Sequence, residues 1–239
     1  MCAISGYGQD GPLADKAGHD INYTGYAGML EQNAAPDGTP ALPNLQVGDL
    51  LGGAQAAVQG ILAALIGAKT SGIGRFVDVS MTDAVFAHNI MPLVAVNNTG
   101  RTAPPARDLL SGGVACYNVY RTSDDRFMAV GSLELKFWET CCETLGRPDL
   151  AKRHWSLGQE IGGDDTMAVK AELDAIFVQQ TQAYWTQKFA GKDCCVTPIL
   201  RMDEAIAHPL FKERNMIKRA QHATEGESWQ TGCCIKFKS

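Results

Sequence analysis

Apolar and polar positions along the chain follow two periods, and the two change over more than once. Ala3-Ile-Ser5 reads as the end of a strand that runs straight into a glycine turn. From Asp49 to about Ala68, alanine, glycine, leucine and isoleucine dominate, as a close-packed helix requires. The Ser71-Gly-Ile-Gly74 turn ends that helix, with Lys69 well placed at its C-terminus. The glycines and glutamines inside Leu50–Ala68 make it too polar for a membrane span and mark it as a buried helix. Phe76–Ser80 then alternates as a strand, and a helix resumes from Thr82 to Val96.

Prolines, glycines and arginines crowd the stretch after Asn97, which reads as a linker. Beyond it, Cys116–Thr122 and Arg126–Gly131 predict a hairpin turning at Ser123-Asp-Asp125. Helices are expected over Leu135–Leu145 and about Thr166–Gln180, a strand over Cys195–Leu200, and a short helix over Met202–Ala207, closed by His208-Pro209. Residues 31–44 are a loop by composition, and Ala223–Ser239 carries only a weak pattern. The expected organisation is part of a large α/β domain over 1–97, a linker over 98–113, a small α+β domain over 114–192 and a return segment over 193–239.

Composition narrows the classes. At 239 residues the chain can bury a sizeable core, and its net charge of -5 leaves no basic surplus for nonspecific nucleic-acid binding. The eight cysteines fall as three adjacent pairs plus Cys2 and Cys116, with no metal-ligand spacing, so no metal is expected. They read as reduced thiols filling small apolar gaps in a cytoplasmic protein. No basic segment followed by an apolar run marks a signal peptide. A mitochondrial or peroxisomal setting is the alternative if a targeting segment lies upstream.

Ser5-Gly-Tyr-Gly-Gln-Asp-Gly-Pro12 and Gly18-His-Asp-Ile-Asn-Tyr23 are built for positioning chemistry rather than filling a core. His19 beside Asp20, at the entry to a helix, has the form of a general base with an adjacent orienter; a buried histidine bonded to backbone is the plainer reading. Asp49, at the head of the small-residue helix, is a candidate reacting carboxylate or simply an N-cap. Glu134 precedes an apolar helix and is as well explained by helix-start electrostatics.

Together these segments resemble the family III CoA-transferase and α-methylacyl-CoA racemase superfamily. The resemblance runs on through Asn44–Gly53, Gly60–Leu65, Thr70–Met81, Ser111–Tyr120, Gly131–Phe137 and Cys195–Leu200, in the family's order. It implies a Rossmann-like large domain, here incomplete, with a smaller α+β domain and an interlocked homodimer whose sites lie between subunits. It also implies an acyl-CoA thioester as substrate, no prosthetic group, no nucleic-acid or membrane partner, and a place in fatty-acid metabolism.

In the racemase branch a histidine and an aspartate thirty residues later act on opposite faces of the substrate, and His19 and Asp49 hold both places. The branch supports its histidine with a small-domain glutamate, matched here by Glu134. A thioester acidifies its α-proton, and two groups flanking the planar enolate can remove a proton from one face and return one to the other. Working from His19, Asp49 must hold a proton at neutral pH, through burial or the charge of the enolate. Gly48, Gly52 and Gly53 would let the thioester approach the backbone, and with Asp20 and Tyr23 near the pair they make up the expected substrate- and CoA-binding residues. The transferase branch instead uses the aspartate as nucleophile, through a mixed anhydride and an enzyme-bound CoA thioester. A third reading is a noncatalytic unit for dimerisation or folding. Asp125, where a glycine is common, and Leu135, where proline is common, depart from the family pattern. Met1 falls where the family completes an interior strand and the C-terminus stops short of its closing segment, so the chain is expected to be an incomplete homologue that alone is weakly active or inactive.

Overall fold

The computed structural model describes residues 1–238. Strand β1 (Cys2–Ser5) pairs in parallel with β2 (Val77–Ser80), Cys2 opposite Val77 and Ser5 opposite Ser80. Parallel neighbours need a crossover, and the intervening chain supplies it with short helices α1 (Asp20–Tyr26) and α2 (Met29–Gln32) and a long helical run. That run begins as a π-helical segment, Gly48–Gln55, and continues as α3 (Ala56–Ser71) until Gly72 takes the left-handed conformation, φ 72°, that closes it. Helix α4 (Met81–His88) follows β2 directly, its first turn capped by the Ser80 hydroxyl, which accepts from the Asp83 N–H.

Two expectations about this half change. The single helix over Thr82–Val96 is two, α4 and α5 (Ile90–Thr99), parted at Asn89. Pro92 lies in the first turn of α5, where its missing N–H costs nothing. The Leu50–Ala68 helix is not buried: Leu62, Leu65 and Ile66 are more than half exposed, and only Gly52, Gly53 and Ala57 within that stretch are buried. Its glycine and small-residue stripe faces α4 and β1, so its leucines and isoleucines turn outward. Nor is it too polar: Gly48–Ser71 is long and apolar enough, by length and composition, to cross a membrane, a test that core helices of soluble proteins also pass.

The main hydrophobic core lies in the second half. Hairpin β3 (Tyr117–Arg121) and β4 (Phe127–Gly131) takes on β5 (Val196–Pro198) to make a three-stranded antiparallel sheet in the order β3-β4-β5. Asp125 turns the hairpin at φ 58°, a conformation aspartate tolerates better than most residues. Helices α6 (Leu135–Leu145), α7 (Asp164–Phe177) and α8 (Gln182–Phe189) cover the sheet. Phe177 is fully buried, stacked on Tyr120 at 4.9 Å between ring centroids and within 5.0 Å of Trp185. Helix α8 is an addition to the expected elements. Its N-cap Thr181 and buried Gln182, Trp185 and Phe189 account for it. The C-terminal region adds further elements: α10 (Pro209–Glu213) follows α9 (Met202–Ala207), and an antiparallel hairpin joins β6 (Ile217–His222) to β7 (Gly226–Thr231), which lies within the weakly patterned Ala223–Ser239.

The cysteines divide. Cys116, Cys141, Cys142 and Cys194 are buried in the core, as small apolar fillers should be, whereas Cys195, Cys233 and Cys234 are exposed. Cys195 sits just before β5 in a left-handed turn, and the last pair lies beyond β7, so neither has a core to fill. Burial pushes the Cys116 and Cys142 thiols up to about 12, leaving almost no thiolate at neutral pH. A thiol reagent added to the folded chain at neutral pH is therefore expected to modify Cys195, Cys233 and Cys234 quickly. The four core cysteines should react only after denaturation, and peptide mapping would reveal any early label on them.

Arg126 clasps α9 to the β3-β4 hairpin, with Nη1 and Nη2 donating to the two Glu204 carboxylate oxygens at 2.8 and 2.6 Å. That pair, with the Arg201 N–H, holds the Glu204 carboxyl down at about 2. A depressed carboxylate contributes stability above its unfolded value and loses it as pH falls through the folded one. Glu204→Gln should accordingly lower the urea midpoint at pH 6, with the gap from wild type narrowing as pH drops from about 4.5 toward 2. A gap independent of pH would contradict the pairing. Because both side chains are partly solvated, the effect should be small.

Candidate active site

The turn from Gly18 to Tyr23 is organised by the start of α1. His19 is its N-cap in extended conformation, and the His19 N–H donates to Asn22 Oδ1 at 3.0 Å, the reciprocal bond of a capping box. The imidazole itself is exposed, so the core-histidine reading fails. Tyr23 is buried one turn on, and its hydroxyl donates to the Gly18 carbonyl, fastening the residue before the histidine. Burial, with the neighbouring Tyr7, Asp49 and Asp20 charges, raises the Tyr23 pKa, so this donor stays protonated across the neutral range. Tyr7 packs edge-on against Tyr23 at 5.2 Å and against Tyr26 at 5.8 Å. A Cβ on Gly18 would lie 2.6 Å from the Tyr7 hydroxyl, so the turn needs glycine there.

Asp49 lies inside the first turn of the π-helical segment. The cap position belongs to Val47, and no side chain caps this helix end, which removes the N-cap explanation of Asp49. Its carboxylate is exposed, which removes burial as a route to a protonated Asp49 and leaves only the charge of a bound enolate. π-Helical segments are rare and recur at functional sites, because the extra residue per turn re-aims side chains. The Asp49 N–H donates to Asp20 Oδ1 at 3.1 Å. The histidine turn and the aspartate turn are thus joined directly.

The glycines of this segment serve close packing within the chain. A Cβ on Gly48 would stand 2.9 Å from Asp20 Oδ1, one on Gly52 2.9 Å from the Met81 carbonyl oxygen, and one on Gly53 3.1 Å from Met81 Sδ. The space each frees is filled by α1 or α4. A cavity of about 530 Å³ opens beside the same segment, lined by Leu51, Gly52, Gln55, Val85 and His88 among others; neither His19 nor Asp49 lines it. Its volume suits a small organic group.

Glu134 stands apart. It is the N-cap of α6, where its carbonyl accepts from the Phe137 and Trp138 N–H groups, and its exposed carboxylate makes no hydrogen bond to His19 or Asp49 among the described residues. Sequence reasoning brought His19, Asp20, Tyr23 and Asp49 together, and missed Tyr7 and the Asn22 cap. The Asn22 signal was available: a side-chain acceptor three residues after the cap is the capping-box spacing.

Comparison with known proteins gives this arrangement a context. Human alpha-methylacyl-CoA racemase is 33% identical over 211 residues, covering 88% of this chain and 54% of that protein. Human succinyl-CoA:glutarate CoA-transferase is 24% identical over 237 residues, covering 99% of this chain and 53% of that protein. The chain thus spans about half the length of the curated relatives it matches. A crystal structure of a CAIB/BAIF family protein from Brucella suis superimposes with a TM-score of 0.76 at 22% identity, covering 99% of this chain and 60% of that one, so the mixed α/β fold is shared. The model of CoA-transferase family III matches residues 1–239, and the chain belongs to that family of enzymes.

Proposed function

We propose that the chain carries the proton-transfer centre of an acyl-CoA racemase, interconverting (R)- and (S)-2-methylacyl-CoA thioesters through an enolate. The observation that carries this reading is the joined pair: an exposed imidazole and an exposed carboxylate on two turns fastened through Asp20. In one direction the neutral His19 imidazole takes the α-proton, the C–H electron pair passes into the thioester enolate, and Asp49 delivers its proton to the opposite face. The reverse direction exchanges the roles, so the pair ends each turnover with the proton on the other partner. The identity to human alpha-methylacyl-CoA racemase supports this choice within the family. Glu134 would support His19 from a second copy of the chain, in an assembly whose site lies between subunits.

A transferase is the second reading, favoured by the exposed, uncapped Asp49 carboxylate and by the likeness to human succinyl-CoA:glutarate CoA-transferase. There Asp49 attacks the thioester carbonyl and expels CoA thiolate. The thiolate then attacks the resulting anhydride, leaving CoA on the aspartyl carbonyl and releasing the free acid. Hydroxylamine separates the two. Incubation with acyl-CoA and hydroxylamine followed by peptide mapping should leave Asp49 unmodified, whereas a hydroxamate at Asp49 would establish acyl transfer.

A further inference from the structure

Asp20 adjoins His19 in sequence, and its side chain is turned toward the other half of the site. Resting on the proton-transfer reading, we infer that Asp20 is a positioning residue whose carboxylate holds the Asp49 backbone in register with the histidine turn. The first N–H groups of a helix have no carbonyl partner within it, and each must find one outside. The Asp49 N–H finds Asp20 Oδ1 at 3.1 Å, across 29 residues of sequence. The approach is close enough that a Cβ on Gly48 would meet the same oxygen at 2.9 Å.

The other end of Asp20 is equally fixed. Its carbonyl accepts from the Thr24 hydroxyl at 2.8 Å, and Thr24 is 1% exposed. Tyr23 adds a second brace, buried against Gly48 and bonded to the Gly18 carbonyl. A half-buried carboxylate with one oxygen committed to a backbone N–H is poorly placed to serve as a substrate ligand. What it does control is the path from imidazole to carboxylate: the His19–Asp20 peptide, the Asp20 side chain, then the Asp49 amide. Two groups that must address opposite faces of one carbon tolerate little relative displacement.

The test compares Asp20→Asn, which keeps an oxygen acceptor, with Asp20→Ala, which does not. In ¹⁵N-labelled chain the Asp49 amide is expected to be protected from solvent exchange in wild type and Asp20→Asn, and to lose protection in Asp20→Ala. In α-proton exchange of a 2-methylacyl-CoA, Asp20→Ala should lower kcat per folded molecule about 100-fold with KM nearly unchanged, and Asp20→Asn should recover most of it. An unprotected Asp49 amide in wild type would overturn the inference. So would loss through KM in both variants, which marks a substrate ligand, or an unchanged kcat per folded molecule in Asp20→Ala, which marks a purely structural bond. If wild type exchanges no α-proton, the proton-transfer reading falls, and the tie to Asp49 stands or falls on the amide signals.

Discussion

Replacement of either His19 or Asp49 by alanine is expected to reduce α-proton exchange of a 2-methylacyl-CoA by about 10²–10⁴-fold, the range for losing a positioned general acid or base. The two losses should not multiply, because proton abstraction and return are halves of one transfer and removing either stops it. Both side chains are exposed, so neither truncation empties a core site and the fold should survive. The variants also discriminate by substrate hand. His19→Ala should suppress abstraction from one enantiomer and Asp49→Ala from the other, if residual single-face exchange is measured in D2O by mass spectrometry. Exchange of both enantiomers at the wild-type rate in both variants would remove the pair from the chemistry.

The second large effect concerns stability. Phe177→Ala should destabilise the chain by about 3–5 kcal/mol, as truncation of a fully buried aromatic does. Phe177 is completely buried and packs on Tyr120, Trp185 and Phe189, with centroids at 4.9, 5.0 and 6.3 Å. Removing its ring opens a cavity that helices α7 and α8 and strand β3 cannot close without moving the sheet. Tyr120 is held there by its own hydroxyl, which donates to the Ala115 carbonyl at 2.6 Å. Urea unfolding monitored by tryptophan fluorescence measures the loss directly, since Trp185 reports from the same cluster. A shift under about 1 kcal/mol would mean the core relaxes freely, contrary to the packing seen.

The elements most legible in the sequence were those whose determinants are local. Helix α6 spans Leu135–Leu145 and α9 spans Met202–Ala207, as their caps and apolar spacing foretell. The β3-β4 hairpin likewise follows from alternation and an acidic turn. Helix α8 was illegible because only three of its side chains are buried, a stripe too thin to stand out from loop. The β6-β7 hairpin faces solvent on nearly every residue, so no alternation marked it.

At the site, His19 and Asp49 were legible through motif and spacing. The Asp20 link between them was not, because a bond across 29 residues depends on how α1 meets the π-helical segment, and nothing local encodes that meeting. The exposure of α3 was misread for a related reason. Composition says that a run of leucine, isoleucine and alanine wants cover, but it does not say whether this stretch of chain supplies it.

The most direct test of proton transfer between His19 and Asp49 is incubation of the wild-type chain with a single enantiomer of a 2-methylacyl-CoA in D2O, followed by chiral separation and mass analysis. The expected result is one deuterium at C2, carried by product of the opposite configuration, with the thioester intact. Thioester consumed without deuterium at C2, or substrate recovered unlabelled with its configuration retained, would contradict it.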